Sequence, residues 1–272
     1  MIHNIAIMGC GWLGLPLGAR LAAAGYAVKG STTRAEKLPR LREAGIAPFL
    51  LEAGESVQGP QQEEFFAADL LIVNIPPGGR RNPAVEEAHP RQIRAILEKA
   101  QAGHIPYLLF ASSTSVYGEE RRVVSEADAL NPETPSGRAL AEIEGLLRQT
   151  QRPQATVLRL AGLVGGNRLP GRFFAGKTGI PGGDAPVNLV HLEDCIGFIL
   201  AVIEQGKWGE TYNVCADEHP SRAQLYTHQA HKLGLPPPEF ITGDDYPFKI
   251  VSNEKGKREL GYVYRFGDPM GF

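Results

Sequence analysis

Residues 4–18 read NIAIMGCGWLGLPLG, an apolar strand that runs straight into glycines at 9, 11 and 14 with a helix opening behind them. Each glycine has a mechanical reason. Gly9 lets the chain leave the strand in a tight turn. Gly11, with no Cβ, lets a pyrophosphate approach the backbone. Gly14 lets the new helix sit close against the strand, so that its free N–H groups and dipole face the phosphates. With Trp12 and Leu13 between the last two glycines, the segment reads as a dinucleotide-binding turn.

The pattern behind it continues in the same sense. Apolar strand-like runs fall at 2–8, 26–30, 46–51, 69–74 (DLLIVN at its core), 107–111 (YLLFA) and 155–160, with a short one at 211–214. Helical patterns alternate with them at 13–24, 36–44, 84–102, 135–149, 192–204 and 221–233, Gly25 and Gly45 closing the first two and Ser221 capping the last. This βαβα order predicts a doubly wound parallel sheet, the Rossmann architecture, with right-handed crossovers. Ligands then lie at the carboxyl ends of the strands, where Gly9, Pro76, Ser113 and Gly162 fall. The stretch 162–184 breaks the rhythm and is rich in Gly, Pro, Arg and Phe, as a substrate-gripping loop would be. The expected division is a dinucleotide-binding domain over 1–165, with 188–214 returning to it, and a small substrate lobe from 166–187 and 215–272.

The 272 residues suffice for a real core, and a net charge of −2 with dispersed signs argues against nucleic-acid or membrane-surface partners. No apolar run approaches the roughly 20 residues that span a bilayer, and no charged leader precedes the first strand. Cys10, Cys195 and Cys215 lack a CxxC spacing, which suits reduced thiols in a cytoplasmic protein. No HExxH, zinc-type cluster, Walker loop or nucleophile elbow is present, so no metal is expected.

The second strand ends VKGSTTRAEK, without the acidic residue that holds a ribose diol in NAD-selective sites. Ser31, Thr32, Thr33 and Arg34 follow instead, hydroxyls and a guanidinium suited to a 2′-phosphate. NADP is therefore expected ahead of NAD. After the fourth strand, Pro76-Pro77-Gly78-Gly79-Arg80-Arg81 bends beside the expected nicotinamide path, with Arg80 placed to meet phosphate.

FASSTSVYG at 110–118, NPETPSG at 131–137, VLRLAGLVG at 157–165, VNLVHLEDC at 187–195 and ETYNVC at 210–215 complete the set. With the glycine turn, they resemble the extended and atypical short-chain dehydrogenases/reductases, the sugar-nucleotide epimerase/dehydratase group. The resemblance implies a Rossmann domain with a small C-terminal substrate lobe. It gives Ser113 the hydrogen bond to the reacting hydroxyl or carbonyl. It also implies a Tyr and, four residues on, a Lys that lowers its pKa, both on one helix face. Here Ser136 stands in the Tyr position and Leu140 in the Lys position. An alcohol is a far poorer acid than a phenol and leucine holds no charge, so the usual acid/base contribution of about 10²–10⁴ in rate is absent.

Replacement proton donors are Tyr117, at the mouth of the same strand, and Ser136 itself. His191 and Arg168 are candidate substrate contacts, and Arg138 a candidate for phosphate or an anionic substrate. Arg159 and Asp194 read as structural. The expectation is an NADP(H)-binding oxidoreductase or epimerase-like enzyme of a small polar substrate. The alternative is a catalytically inactive NADP(H) sensor or regulatory protein. Relatives dimerise through the helix at 135–149, whose Leu140, Ile143, Leu146 and Leu147 suit either burial or pairing in a homodimer.

Overall fold

The computed structural model describes residues 1–78 and 83–272. Its centre is a sheet of seven strands: β1 Asn4–Met8, β2 Ala27–Thr32, β3 Ala47–Leu50, β4 Leu70–Val73, β5 Tyr107–Ser113, β6 Gln154–Leu160 and β7 Thr211–Val214. They lie in the order β3-β2-β1-β4-β5-β6-β7. The chain thus starts in the middle, builds outward to one edge, and crosses back to build the other. β1 pairs in parallel with β2 and β4, β2 with β3, and β4 with β5. The bonds Val157 N–H to Glu210 O and Ala161 N–H to Val214 O advance together, as parallel pairing of β6 with β7 requires.

Parallel strands covered on both faces need continuous apolar runs rather than alternation. β4 (LLIV) is buried throughout, as are Ile5, Ala6, Ile7 and Met8 of β1. Each large side chain of this kind contributes about 1.5–3 kcal/mol on burial. The crossovers are α1 Gly14–Ala23, α2 Leu38–Glu43, α3 Gln62–Phe66, α4 Val85–Ala102, α5 Pro135–Gln149 and α6 Leu192–Gln205. Pro16 lies in the first turn of α1, where its missing N–H costs nothing. α5 starts on Thr134, whose hydroxyl accepts from Gly137 N–H, with Pro135 opening the helix.

The chain divides into two compact units. The first holds Met1–Val116, Pro132–Arg159 and Ile199–Thr211; the second holds Tyr117–Asn131, Leu160–Phe198 and Tyr212–Phe272. This division differs from the expected boundaries in placing 117–131, 160–165, 188–198 and 212–214 in the second unit. Strand pairing accounts for 117–131, 160–165 and 188–198. Val123–Val124 pairs with Ile250–Val251, and Gly162–Val164 with Leu189–His191. The second unit also contains α7 Arg222–Lys232 and α8 Glu254–Leu260. Ser221 caps α7 in a reciprocal box with Gln224. Its core joins Val164, Val187, Leu189, Leu225 and Tyr226, with Phe174 and Phe240 packed against them.

Candidate functional site

Within the first unit, the carboxyl ends of β1, β2 and β3 open into one cleft of about 290 Å3. Its floor is the glycine turn. Gly9 has φ +104°, and a Cβ there would stand 2.5 Å from Asn74 O. A Cβ on Gly14 would stand 2.3 Å from Gly9 O. Both glycines are therefore demanded by the fold itself. Gly11 is different: a Cβ there meets nothing within 4 Å among the described residues. The turn is pinned from two sides. Asn74 Nδ2 donates to Gly9 O at 3.2 Å, and Gly9 N–H donates to Ser31 Oγ at 3.0 Å.

Ser31 lines the cleft, but its hydroxyl is engaged within the fold. It is 2% exposed, and its hydroxyl donates to Met8 Sδ while accepting from Gly9. β2 runs two residues further than the apolar pattern suggested, because Ser31 and Thr32 find local partners and can be buried. Thr32 Oγ1 accepts from Arg34 N–H at 3.3 Å, so the chain turns tightly and sets Thr33 and Arg34 at the cleft. Lys37, from the single turn Ala35–Lys37, joins them. Arg34 and Lys37 thus set two cations on one rim, with Glu36 Oε1 3.8 Å from Arg34 Nε. Lys37 was legible in the sequence only as the end of RAEK, one turn after Arg34.

The third wall is Leu51, Glu52 and Ala53, with Gln92 of α4. Adjacent strands lie about 4.8 Å apart, so glycine turn, cationic corner and this wall follow one another at about 5 Å intervals. On the other side of β1, Ile75 and Pro76 complete the lining. Trp12 is half-buried, Leu13 and Gly14 are buried in the packing of α1, and Pro77 is half-buried. Arg80 lies outside the described residues.

β5 ends at Ser113, whose Oγ accepts from Ser115 N–H at 3.2 Å, leaving its proton to donate elsewhere. A Cβ on Gly137 would stand 2.4 Å from Ser115 O. This close approach sets the first turn of α5, with half-buried Ser136, beside the turn that follows Ser113. Leu140 is 2% exposed, a core residue in the lysine position. Ile143 and Leu147 are buried with it inside this unit, and Leu146 is half-buried. Arg138 turns away to Glu86, with Nε–Oε2 at 3.0 Å and Nη2–Oε1 at 2.6 Å. Beneath them, Ser112 Oγ donates to Glu144 Oε1 at 2.6 Å, and Arg159 Nη2 donates to Glu144 Oε2 at 2.7 Å. Sequence reading missed Glu144, the carboxylate that makes Arg159 structural.

In the second unit, Tyr117 is corrected as a proton donor. It is 2% exposed, and its hydroxyl donates to Asn213 Oδ1 at 2.8 Å. His191 Nδ1 accepts from Glu193 N–H, so a neutral ring carries its proton on Nε2. The ring lies 3.8 Å from that of Phe266, and burial lowers its pKa from the ordinary histidine value. Gly165, whose Cβ would stand 2.6 Å from His191 Nε2, starts a turn closed by Arg168. Asp194 accepts from Tyr262 Oη and from Arg265 and Phe266 N–H, an anchoring role. All three cysteines are buried, which pushes the Cys10 and Cys215 thiols up to about 12 and Cys195 higher still. Among the described residues, no group of histidine, cysteine and carboxylate side chains can hold a metal. No described helix is long and apolar enough to cross a membrane.

A doubly wound sheet with a glycine turn at β1 and a cleft across β1–β3 defines a Rossmann-fold protein. The chain belongs to the NAD dependent epimerase/dehydratase family, which it matches over residues 5–215. It is 40% identical to protein YeeZ of Escherichia coli K12, over 99% of this chain and 98% of that one. Its fold is that of a short-chain dehydrogenase/reductase superfamily protein from Agrobacterium tumefaciens solved with bound NAD. That likeness has a TM-score of 0.78 and 22% identity, over 98% of this chain and 94% of that one. UDP-glucose 4-epimerase from Thermotoga maritima, solved with UDP-glucose, is similar at a TM-score of 0.75 and 18% identity, over 96% and 94%.

Proposed function

We propose that this protein binds NADP(H) across the carboxyl ends of β1, β2 and β3 and is an atypical oxidoreductase or epimerase-like enzyme of a small polar substrate. The observation that carries the reading is the contrast among the three glycines. Packing explains Gly9 and Gly14, whose Cβ atoms would strike backbone, but nothing among the described residues asks for the missing Cβ at Gly11. A phosphate drawn close to that backbone does. Arg34 and Lys37 on the adjacent rim favour a coenzyme with a 2′-phosphate over one with a free ribose diol.

The coenzyme, when bound, supplies or accepts a hydride. The chain's own part is narrower than in relatives with a Tyr and Lys. Ser113 keeps a proton with which to hydrogen-bond a substrate carbonyl or hydroxyl. Ser136, at the first turn of α5, is an alcohol and holds that proton far more tightly than a phenol would. With Leu140 in the core, no cation lies at that position to help. The reading therefore includes slow turnover, lower by the factor of about 10²–10⁴ that a positioned acid/base contributes.

Leu140 also supports a second reading, a catalytically silent NADP(H) sensor. One experiment separates the two. Purified protein is mixed with NADPH and a panel of aldehydes, ketones and nucleotide sugars while the reduced-coenzyme absorbance is followed. Turnover that disappears in Ser113→Ala supports the enzyme. Tight NADPH binding without turnover on any substrate class rejects it in favour of the sensor.

A further inference from the structure

The base end of the cleft is built differently from its other two walls. Glu52 and Ala53 form a two-residue strand paired antiparallel with Val57–Gln58, and Gly54 N–H donates to Ser56 O across the tip. A ladder this short does not by itself hold a wall in place. The tie comes from α4. Gln92 Nε2 donates to Ala53 O at 2.7 Å, and Gln92 itself lines the cleft.

Gln92 is held in turn. His89 Nδ1 lies 3.0 Å from Gln92 Oε1, one turn earlier on the same face of α4. The amide orientation follows from its partners. Ala53 O accepts only, so the nitrogen of Gln92 must face it and Oε1 must face His89. Oε1 also accepts only, so Nδ1 of His89 carries the proton. The ring is 3% exposed, and among the described residues its Nε2 has no partner, as suits a neutral imidazole with a bare lone pair. Burial lowers its pKa below the ordinary histidine value, which keeps it in that form. The relay His89–Gln92–Ala53 has one direction and one register.

Resting on the coenzyme reading, we infer that Gln92 is a positioning residue for recognition of the coenzyme's base, and that His89 fixes it there. Glu52, on the segment that Gln92 holds, presents a carboxylate to the base wall. An ionised carboxylate accepts hydrogen bonds and never donates them. Set against position 6 of a purine, it accepts from an exocyclic 6-amino group, whereas a 6-oxo group puts a second acceptor there and leaves only the neighbouring N1–H to donate. That discrimination needs the Glu52–Ala53 segment in register, since a site 1 Å too loose loses its selectivity. The 2′-phosphate corner at Arg34 and Lys37 belongs to a different element and does not depend on the relay.

The test measures binding of NADPH, NADH and the hypoxanthine analogue of NADPH to the whole protein and to four variants. Gln92→Met and His89→Leu keep the volume and lose the bonds. His89→Asn keeps a donor near Nδ1, and Gln92→Glu keeps the reach but loses the donation to Ala53. Wild type is expected to prefer NADPH over its hypoxanthine analogue. In Gln92→Met, Gln92→Glu and His89→Leu, NADPH should weaken about five- to tenfold, as loss of one positioned hydrogen bond implies. The preference for the 6-amino base should collapse, while the NADPH-to-NADH ratio stays at the wild-type value. His89→Asn should restore the preference. Gln92→Met and His89→Leu that keep the base preference, or variants that lose both ratios together, overturn the inference and leave the coenzyme reading standing. Wild type that binds neither coenzyme overturns both.

Discussion

Gly11→Ala separates a glycine kept for the fold from one kept for a ligand. Among the described residues the added methyl meets no atom within 4 Å, and Gly11 does not have the left-handed backbone found at Gly9. Replacing such a glycine stabilises a protein by about 0.4–1 kcal/mol through the unfolded chain. The melting temperature of the variant should therefore equal or slightly exceed that of wild type. The same methyl occupies the space where a pyrophosphate would rest against the backbone. Overfilling a tight contact costs about 1–3 kcal/mol, or about five- to 150-fold in affinity. Gly14→Ala is the counterpart. Its Cβ would stand 2.3 Å from Gly9 O, a backbone atom that cannot swing aside. Even after a helix-propensity gain of up to about 1 kcal/mol, a net loss of about 2 kcal/mol is expected, or about 4–8 °C in melting temperature. Thermal unfolding without ligand and calorimetric titration with NADPH read the two effects separately. A folded Gly11→Ala protein that binds NADPH within twofold of wild type would refute the reasoning, because the bare backbone would then serve no phosphate.

Three further outcomes follow from the same geometry. Arg34→Asp should weaken NADPH binding at least tenfold and NADH binding little, as read by titration; equal losses would show that no 2′-phosphate is held there. Tyr117→Phe should leave any turnover unchanged while destabilising the protein by about 1–3 kcal/mol, because it strands Asn213 Oδ1 in the interior; loss of turnover in a folded variant would return the phenol to the chemistry. Glu144→Gln should cost about 3–5 kcal/mol in denaturant unfolding, since it leaves the buried Arg159 guanidinium without its carboxylate; a change under 1 kcal/mol would deny the pair any structural weight.

How much of this was written in the chain depends on how local each feature is. The inner strands β4 and β5 were visible because a strand buried on both faces needs an unbroken apolar run, and LLIV and YLLF supply one. The glycine turn was visible because three backbone constraints fall within six residues. The end of β2 was not, since Ser31 and Thr32 look like loop until Gly9 N–H and Met8 Sδ are placed beside them. The short helix Gln62–Phe66 and the hairpin at 52–58 are below the length at which periodicity speaks. Tyr117 reads as an available phenol because its partner Asn213 is 96 residues away. Gln92 gave no sign at all, its partner being the carbonyl of Ala53, 39 residues earlier. The loss of the Tyr and Lys, in contrast, was plain in Ser136 and Leu140, and the burial of Leu140 gives it a physical meaning.

The central claim, that a phosphorylated dinucleotide lies over Gly11 with its 2′-phosphate between Arg34 and Lys37, is tested most directly by calorimetric titration of the wild-type protein with NADPH and NADH at one ionic strength. The account predicts saturable binding of both, with NADPH at least about tenfold tighter, a difference of about 1.4 kcal/mol. Binding of neither coenzyme at millimolar concentration, or of NADH as tightly as NADPH, would contradict it.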